Sequence, residues 1–442
     1  MMPSRPSKSR PRTLARRAVI SLAALSVAAL LASCAGGSGS AGSGAGDAVT
    51  LWGITSDQEE TVDPSVADWN AAHPDAQLEA TYFEGEAYKS KIRTAIGAGA
   101  GPSVIYNKGG GTLQSYVDAD KVLDLSDALG DDLDRFLPFA LDPVTFDGAV
   151  YAVPMKAVAP VVLYVNEDVM DAAGVESPET WDELLVAVEK LNAAGVAPFA
   201  LAGAAKWPEL MWLEYLADRI GGPEVFDAIL AGEADAWSHP AVIQANEMIQ
   251  DLVEAGGFAD GFASVTTDSS ADAALLYTGK AAMLLQGTWV NNTFREQAPE
   301  FAENSLGYLP FPTVDGGTGD PANIVGNPTS YFSVSADATE AQQAVAIDYL
   351  KTGLWDEPFV DRLIEANQVP PLADIDDTIA DLPDAAFGET VYQMISDAPN
   401  FQMSWDQALE PGQAQEMLTN LDRLFNLQIT PEEFSTNMNA TL

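Results

Sequence analysis

The apolar positions of this chain fall into two alternating periods. Residues 48–54 and 77–83 alternate in the manner of strands, in which every second side chain faces the same way. Between them Val62, Val66 and Trp69 recur at helical spacing, which predicts a helix over 57–72. Another helix is expected over 87–98, then a short buried strand at 103–106. That strand opens into Asn107-Lys108-Gly109-Gly110-Gly111, a turn whose glycines let backbone come close to a neighbour. A turn and strand follow at 147–154, and a continuous apolar strand at 161–166. Thr180-Trp181-Asp182-Glu183 has the spacing of a capping box, and the helix it starts puts Leu184, Val188 and Leu191 on one face before Gly195 ends it. Helices are expected from Trp207-Pro208 to Gly221-Gly222, over 240–254 and over 338–351, with strands inside 278–289 and 326–334. The stretch 401–407 is aromatic and polar, reads as a loop, and introduces the last helices.

This alternation predicts an α/β architecture with mainly parallel sheets. In such sheets ligands bind beyond the carboxyl ends of strands, where Asp57, Asn107 and Lys108 stand. No internal repeat is present.

The first 33 residues follow a different pattern. Residues 1–17 hold six basic side chains and no acidic ones, and residues 18–31 are almost wholly apolar. A basic start, an apolar run too short to span a bilayer and a small-residue end describe a secretory signal peptide. Leu31-Ala32-Ser33-Cys34 resembles the bacterial lipobox, which implies cleavage before Cys34 and lipid on its sulfur. Arg16-Arg17 would also suit twin-arginine export. Residues 35–46 contain only Ala, Gly and Ser, a flexible linker between anchor and fold.

Charge narrows the partners. The leader takes six of the 21 basic residues and none of the 65 acidic ones, so the chain from Cys34 onward carries a formal charge of −50. So negative a field disfavours nucleic acid and anionic lipid surfaces. Cys34 is the only cysteine, which leaves no disulfide within the chain. The two histidines, His73 and His239, each precede a proline at an expected helix boundary. That is poor supply for a Ser-His-Asp triad or a His-rich metal site, and no cofactor or metal is expected. A carboxylate-pair hydrolase remains open because acids are plentiful.

Three segments stand in order along the chain: Tyr151-Ala152-Val153-Pro154 with residues 162–166, Pro178-Glu179-Thr180-Trp181-Asp182-Glu183-Leu184, and Gly279-Lys280-Ala281-Ala282-Met283 with Gly287-Thr288-Trp289. Together they resemble one family, the extracellular solute-binding proteins of bacterial sugar ABC importers, the group that includes maltose-binding protein. Residues 105–111 and Trp405-Asp406-Gln407 are most similar to the oligosaccharide-binding branch. The resemblance implies a type II periplasmic-binding-protein-like fold. Its N-terminal lobe would take residues 47–157 and 327–365, and its C-terminal lobe 158–326 and 366–442. Crossings are expected near 156–160 and 323–327, with a third after the 338–351 helix.

The family implies a binding protein, not an enzyme. It would be a monomer that captures an oligosaccharide in an interlobe cleft, docks on the permease subunits, and is held on the extracytoplasmic face by lipid on Cys34. Trp289 and Trp405 are expected to stack on sugar faces, with Trp207 as a further aromatic candidate. Asp406, Asp57 and Asn107 would bond hydroxyls, with Asn327 and Tyr331 at a cleft-facing crossing. Lys108 and Lys156, at expected cleft positions, raise an acidic sugar as one possible ligand. A polyol phosphate or peptide ligand is the alternative within the fold, and a surface glycoside hydrolase the alternative outside it.

Overall fold

The structure is a computed structural model that describes residues 48–55, 61–267, 270–373, 375–380 and 382–442. The leader, Cys34, the linker and Asp57 lie outside the described residues.

Thirteen strands are described. The first are β1 (Val49–Ile54), β2 (Leu78–Phe83) and β3 (Val104–Asn107). A short hairpin, β4 (Thr145–Phe146) and β5 (Ala149–Val150), precedes β6 (Val153–Pro154). Then come β7 (Ala159–Asn166), β8 (Ala197–Ala200), β9 (Ala281–Gly287), β10 (Leu306–Leu309), β11 (Ile324–Asn327), β12 (Tyr331–Val334) and β13 (Phe401–Met403). One sheet runs β2-β1-β3-β12-β6, and a second runs β13-β11-β7-β9-β8 with β10 also on β7.

The sheets are mixed, not mainly parallel. β12 lies antiparallel to β3 and β6, and β7 antiparallel to β9, β10 and β11. The cause is connectivity. The chain passes between the sheets along short extended segments, 155–158 and 328–330, so the entering strand runs against its neighbours. A helical crossover would have made it parallel.

Each sheet has its own apolar core. The first packs β1, β3, β12 and the helices at Val62–Ala72 and Glu357–Glu365 around Leu51, Val104 and Phe332. The second packs β7 and β9 with the helices at Trp181–Ala194, Trp207–Gly221 and Pro240–Glu254 around Trp212, Leu216 and Met283. A smaller cluster joins Val158 and Ile324 to Ile364, Val369 and the helix Ala385–Asp397, beside the crossings.

Local signals hold where they were strong. Glu183 N–H donates to Thr180 Oγ1 at 3.3 Å while the Glu183 carboxylate accepts from Thr180 N–H at 3.2 Å, the reciprocal capping box. Gly195 ends that helix at φ 77°, a conformation open to glycine. His73 caps the Val62–Ala72 helix, and His239 Nδ1 accepts from Ala241 N–H at the start of the Pro240–Glu254 helix, so both are boundary residues. Helix Glu340–Asp348 is shorter than expected because residues 349–353 continue as a wider π turn.

Candidate functional site

Strand pairing decides where the expected site residues arrive. In the second sheet Ala200 pairs with Leu284, Gly287 with Val161, Asn327 with Ala159 and Met403 with Gly326. So β8, β9, β11 and β13 all end on the edge where β7 begins. Trp207, Trp289 and Asp406 follow three of those ends, and Asn327 closes the fourth. In the first sheet Tyr331 pairs with both Asn107 and Pro154, so β3 and β6 end where β12 begins. The short crossings tie these edges together, and they face each other.

The edges touch along one seam. A Cβ on Gly111 would lie 2.3 Å from the Leu409 carbonyl oxygen, and one on Gly110 would lie 2.4 Å from that of Gln407. Gly110 also sits at φ 56°. The first-lobe helix Gly110–Asp118 therefore starts directly on the second-lobe turn at 405–409.

Polar groups converge around it. Lys108 Nζ donates to Ser330 Oγ at 3.0 Å on the crossing. Gln407 Nε2 donates to Asn327 Oδ1, joining the turn to the other end of that crossing. Burial pushes the Asp406 carboxyl up, while Lys89, the Ser404 hydroxyl and Lys108 draw it back. Glu214 fixes the turn from behind: its carboxylate accepts from Trp405 N–H at 2.6 Å and Ser404 Oγ at 2.8 Å. Burial raises the Glu214 carboxyl to about 8 despite those donors.

Trp207 and Trp289 form a second group. Their rings meet edge to face, 5.8 Å apart at 60°, and both are partly exposed. The Trp289 ring folds back over its own strand end, where a Cβ on Gly287 would come within 2.0 Å of it. Thr288 N–H donates to Pro160 O at 3.0 Å, which pins the exit of β9 to the first crossing. The glycine leaves room for the indole, and this bond fixes the backbone beside it.

Other candidates take structural places. Trp405 is on the short helix Trp405–Ala408, not in an open loop; it is 1% exposed and stacks on Phe226 at 4.6 Å. Its neighbour Asp406 is half-buried, with Lys89 and Lys108 acting on its carboxyl. Tyr331 is fully buried between β3 and β6. Asn107 is buried, donating to Ser333 Oγ at 2.9 Å and accepting from Gly109 N–H at 3.0 Å, which shapes the glycine turn. Trp212 is core. Ser330, Lys89 and Glu214 carry no signal in the sequence, since each acts on a partner distant in the chain, and Gln407 stands out only as part of the Trp405-Asp406-Gln407 segment. Among the described residues no cluster of His, Cys, Asp and Glu side chains could hold a metal ion, and no helix is long and apolar enough to cross a membrane.

Two α/β lobes with facing strand edges, joined by short crossings, define a solute-binding architecture. The chain matches the model for bacterial extracellular solute-binding proteins over residues 55–352, and it belongs to that family. It is 26% identical over 250 residues to an uncharacterized ABC transporter extracellular-binding protein of Pyrococcus horikoshii. That match takes 55% of this chain and spans 56%, about half, of the relative. A solved structure described for xylan utilization by Caldanaerobius polysaccharolyticus superposes with a TM-score of 0.80 at 29% identity, covering 89% of this chain and 100% of the other. A chitin oligosaccharide binding protein gives 0.81 at 25% identity, covering 90% and 98%.

Proposed function

We propose that this protein captures an oligosaccharide between its lobes and delivers it to the transmembrane subunits of an ABC importer, with no bond chemistry of its own. A sugar ring offers C–H groups on its faces and hydroxyls on its edge. Aromatic rings suit the faces, and carboxylates and amides suit the hydroxyls. The observation that carries the reading is the preset Trp207–Trp289 pair on the same strand edge as Asn327 and Asp406, opposite Lys108. The xylan and chitin-oligosaccharide relatives support the same ligand class. Hinge closure of the lobes would trap the sugar.

A thermal-shift panel of xylo-, malto-, chito- and acidic oligosaccharides tests it. A ligand at 100 times its dissociation constant adds about 2.7 kcal/mol of stability. Trp289→Ala is expected to weaken the best ligand about tenfold, near 1.4 kcal/mol. If no carbohydrate raises the melting point, the oligosaccharide reading fails.

The same reading anchors the monomer through lipid on Cys34 at the extracytoplasmic face, with the 35–46 linker as tether. Cys34→Ser is expected to move the protein from the membrane fraction to the soluble one. Unchanged membrane retention would count against the anchor.

A further inference from the structure

The edge of β7 is shared between two strands that do not meet. β10 pairs with residues 163–166 and β11 with 159–160. Between them the chain leaves the sheet over 310–323, and the Tyr215 hydroxyl donates to Val161 O at 2.6 Å. A cavity of about 520 Å³ opens at this split, within the range of small-molecule sites. It is lined by the second sheet, the helix Trp207–Gly221 and the helix Ala385–Asp397, and neither Trp207 nor Trp289 is part of it.

Its chemistry is sorted by depth. The walls are apolar and aromatic, with Tyr308, Phe311 and Met394; Phe311 stacks on Tyr215 at 4.6 Å and 2°. Arg219 and Asn323 line the interior, 3% and 2% exposed. The guanidinium charge is met by Asp218 at 2.9 Å, so the floor carries no net charge. Glu389 and Asp397 stand exposed at the mouth, on one face of the Ala385–Asp397 helix. Neither has a cationic partner among the described residues, and Asp397 accepts only from Gln393.

We propose that this cavity is a second binding site, for a small organic cation with an aromatic or apolar body. The carboxylates draw in the ammonium and repel anions, and the aromatic walls take the body.

The probes are tryptamine and indole-3-propionate, which carry the same ring on a cationic or anionic tail. Calorimetry on the purified chain in 0.15 M salt is expected to show tryptamine binding at least tenfold tighter. The double change Glu389→Gln and Asp397→Asn should weaken tryptamine at least fivefold. Ala322→Trp, at the exposed rim, should abolish it by filling the mouth. Oligosaccharide, where it binds, should neither compete nor lose affinity in these variants. Equal binding of the two probes, or tryptamine binding that survives both variants, overturns the proposal. Since the tryptamine reading needs no sugar, it stands or falls independently of the transport function.

Discussion

Gly111→Ala is expected to weaken oligosaccharide binding about a hundredfold, near 2.7 kcal/mol, while the ligand-free protein melts within a few degrees of the parent. Ordinarily this change stabilises a helix, since alanine is the better helix former by up to about 1 kcal/mol. Gly111 needs no left-handed backbone, unlike Gly109 at φ 78° and Gly110 at φ 56°. What excludes a side chain is space alone: its Cβ would lie 2.3 Å from the Leu409 carbonyl oxygen and 2.6 Å from its carbon. Both are backbone, so no rotamer change relieves the clash. The two segments belong to different cores, Leu113 and Tyr116 to the first lobe and Trp405 and Leu409 to the second. The cheapest relief is a small parting of the lobes, which leaves each core whole and opens the seam between Lys108 and Asp406. Calorimetry with the best sugar, beside a melt of the free protein, separates the outcomes. Affinity within twofold of the parent would mean that the seam plays no part in closure, and a collapse of the free melt would mean that it holds the fold.

How far the chain could be read in advance follows from the range of each interaction. The Thr180 capping box, the Gly195 stop and the two histidine boundaries are set within four residues, and all were legible. So was the local shape of the Trp289 exit, because Gly287 and the indole are two positions apart. Trp405 misled because its own neighbours, Ser404, Asp406 and Gln407, are polar. Phe226 and Trp237, which bury it, come from a distant part of the chain. The burial of Tyr331 is hidden for the same reason, since only the pairing of β12 with both β3 and β6 encloses it. The antiparallel members of both sheets were invisible because a crossing between lobes has no local signature. Glu214 read as one more polar residue in an apolar helix, and its role appears only when Ser404 and Trp405 fold onto it.

The buried acids of that helix, Trp207–Gly221, give the protein a pH profile that falls toward alkaline pH. Glu209 and Glu214 are each 0% exposed. Burial lifts Glu209 to about 9, with Asp422 adding to the rise and Lys206 opposing it, and lifts Glu214 to about 8. Neither Glu209 oxygen has a hydrogen-bond partner among the described residues. In the unfolded chain both ionise near their ordinary value of 4.5. Between that value and 8 to 9 the folded state therefore binds more protons than the unfolded state, and stability decreases as pH rises. Each group contributes a loss on the order of 3 kcal/mol from about pH 5.5 to about 7.5. General repulsion in so acidic a chain acts in the same direction, so the parent's slope alone does not identify the cause. Glu209→Gln does: it removes the ionisation and keeps the shape. The variant should match the parent near pH 4, where Glu209 is neutral in the folded chain and mostly neutral in the unfolded one, and melt several degrees higher near pH 8. Denaturant melts across that range measure the slope, and a slope unchanged by Glu209→Gln would remove Glu209 as its source.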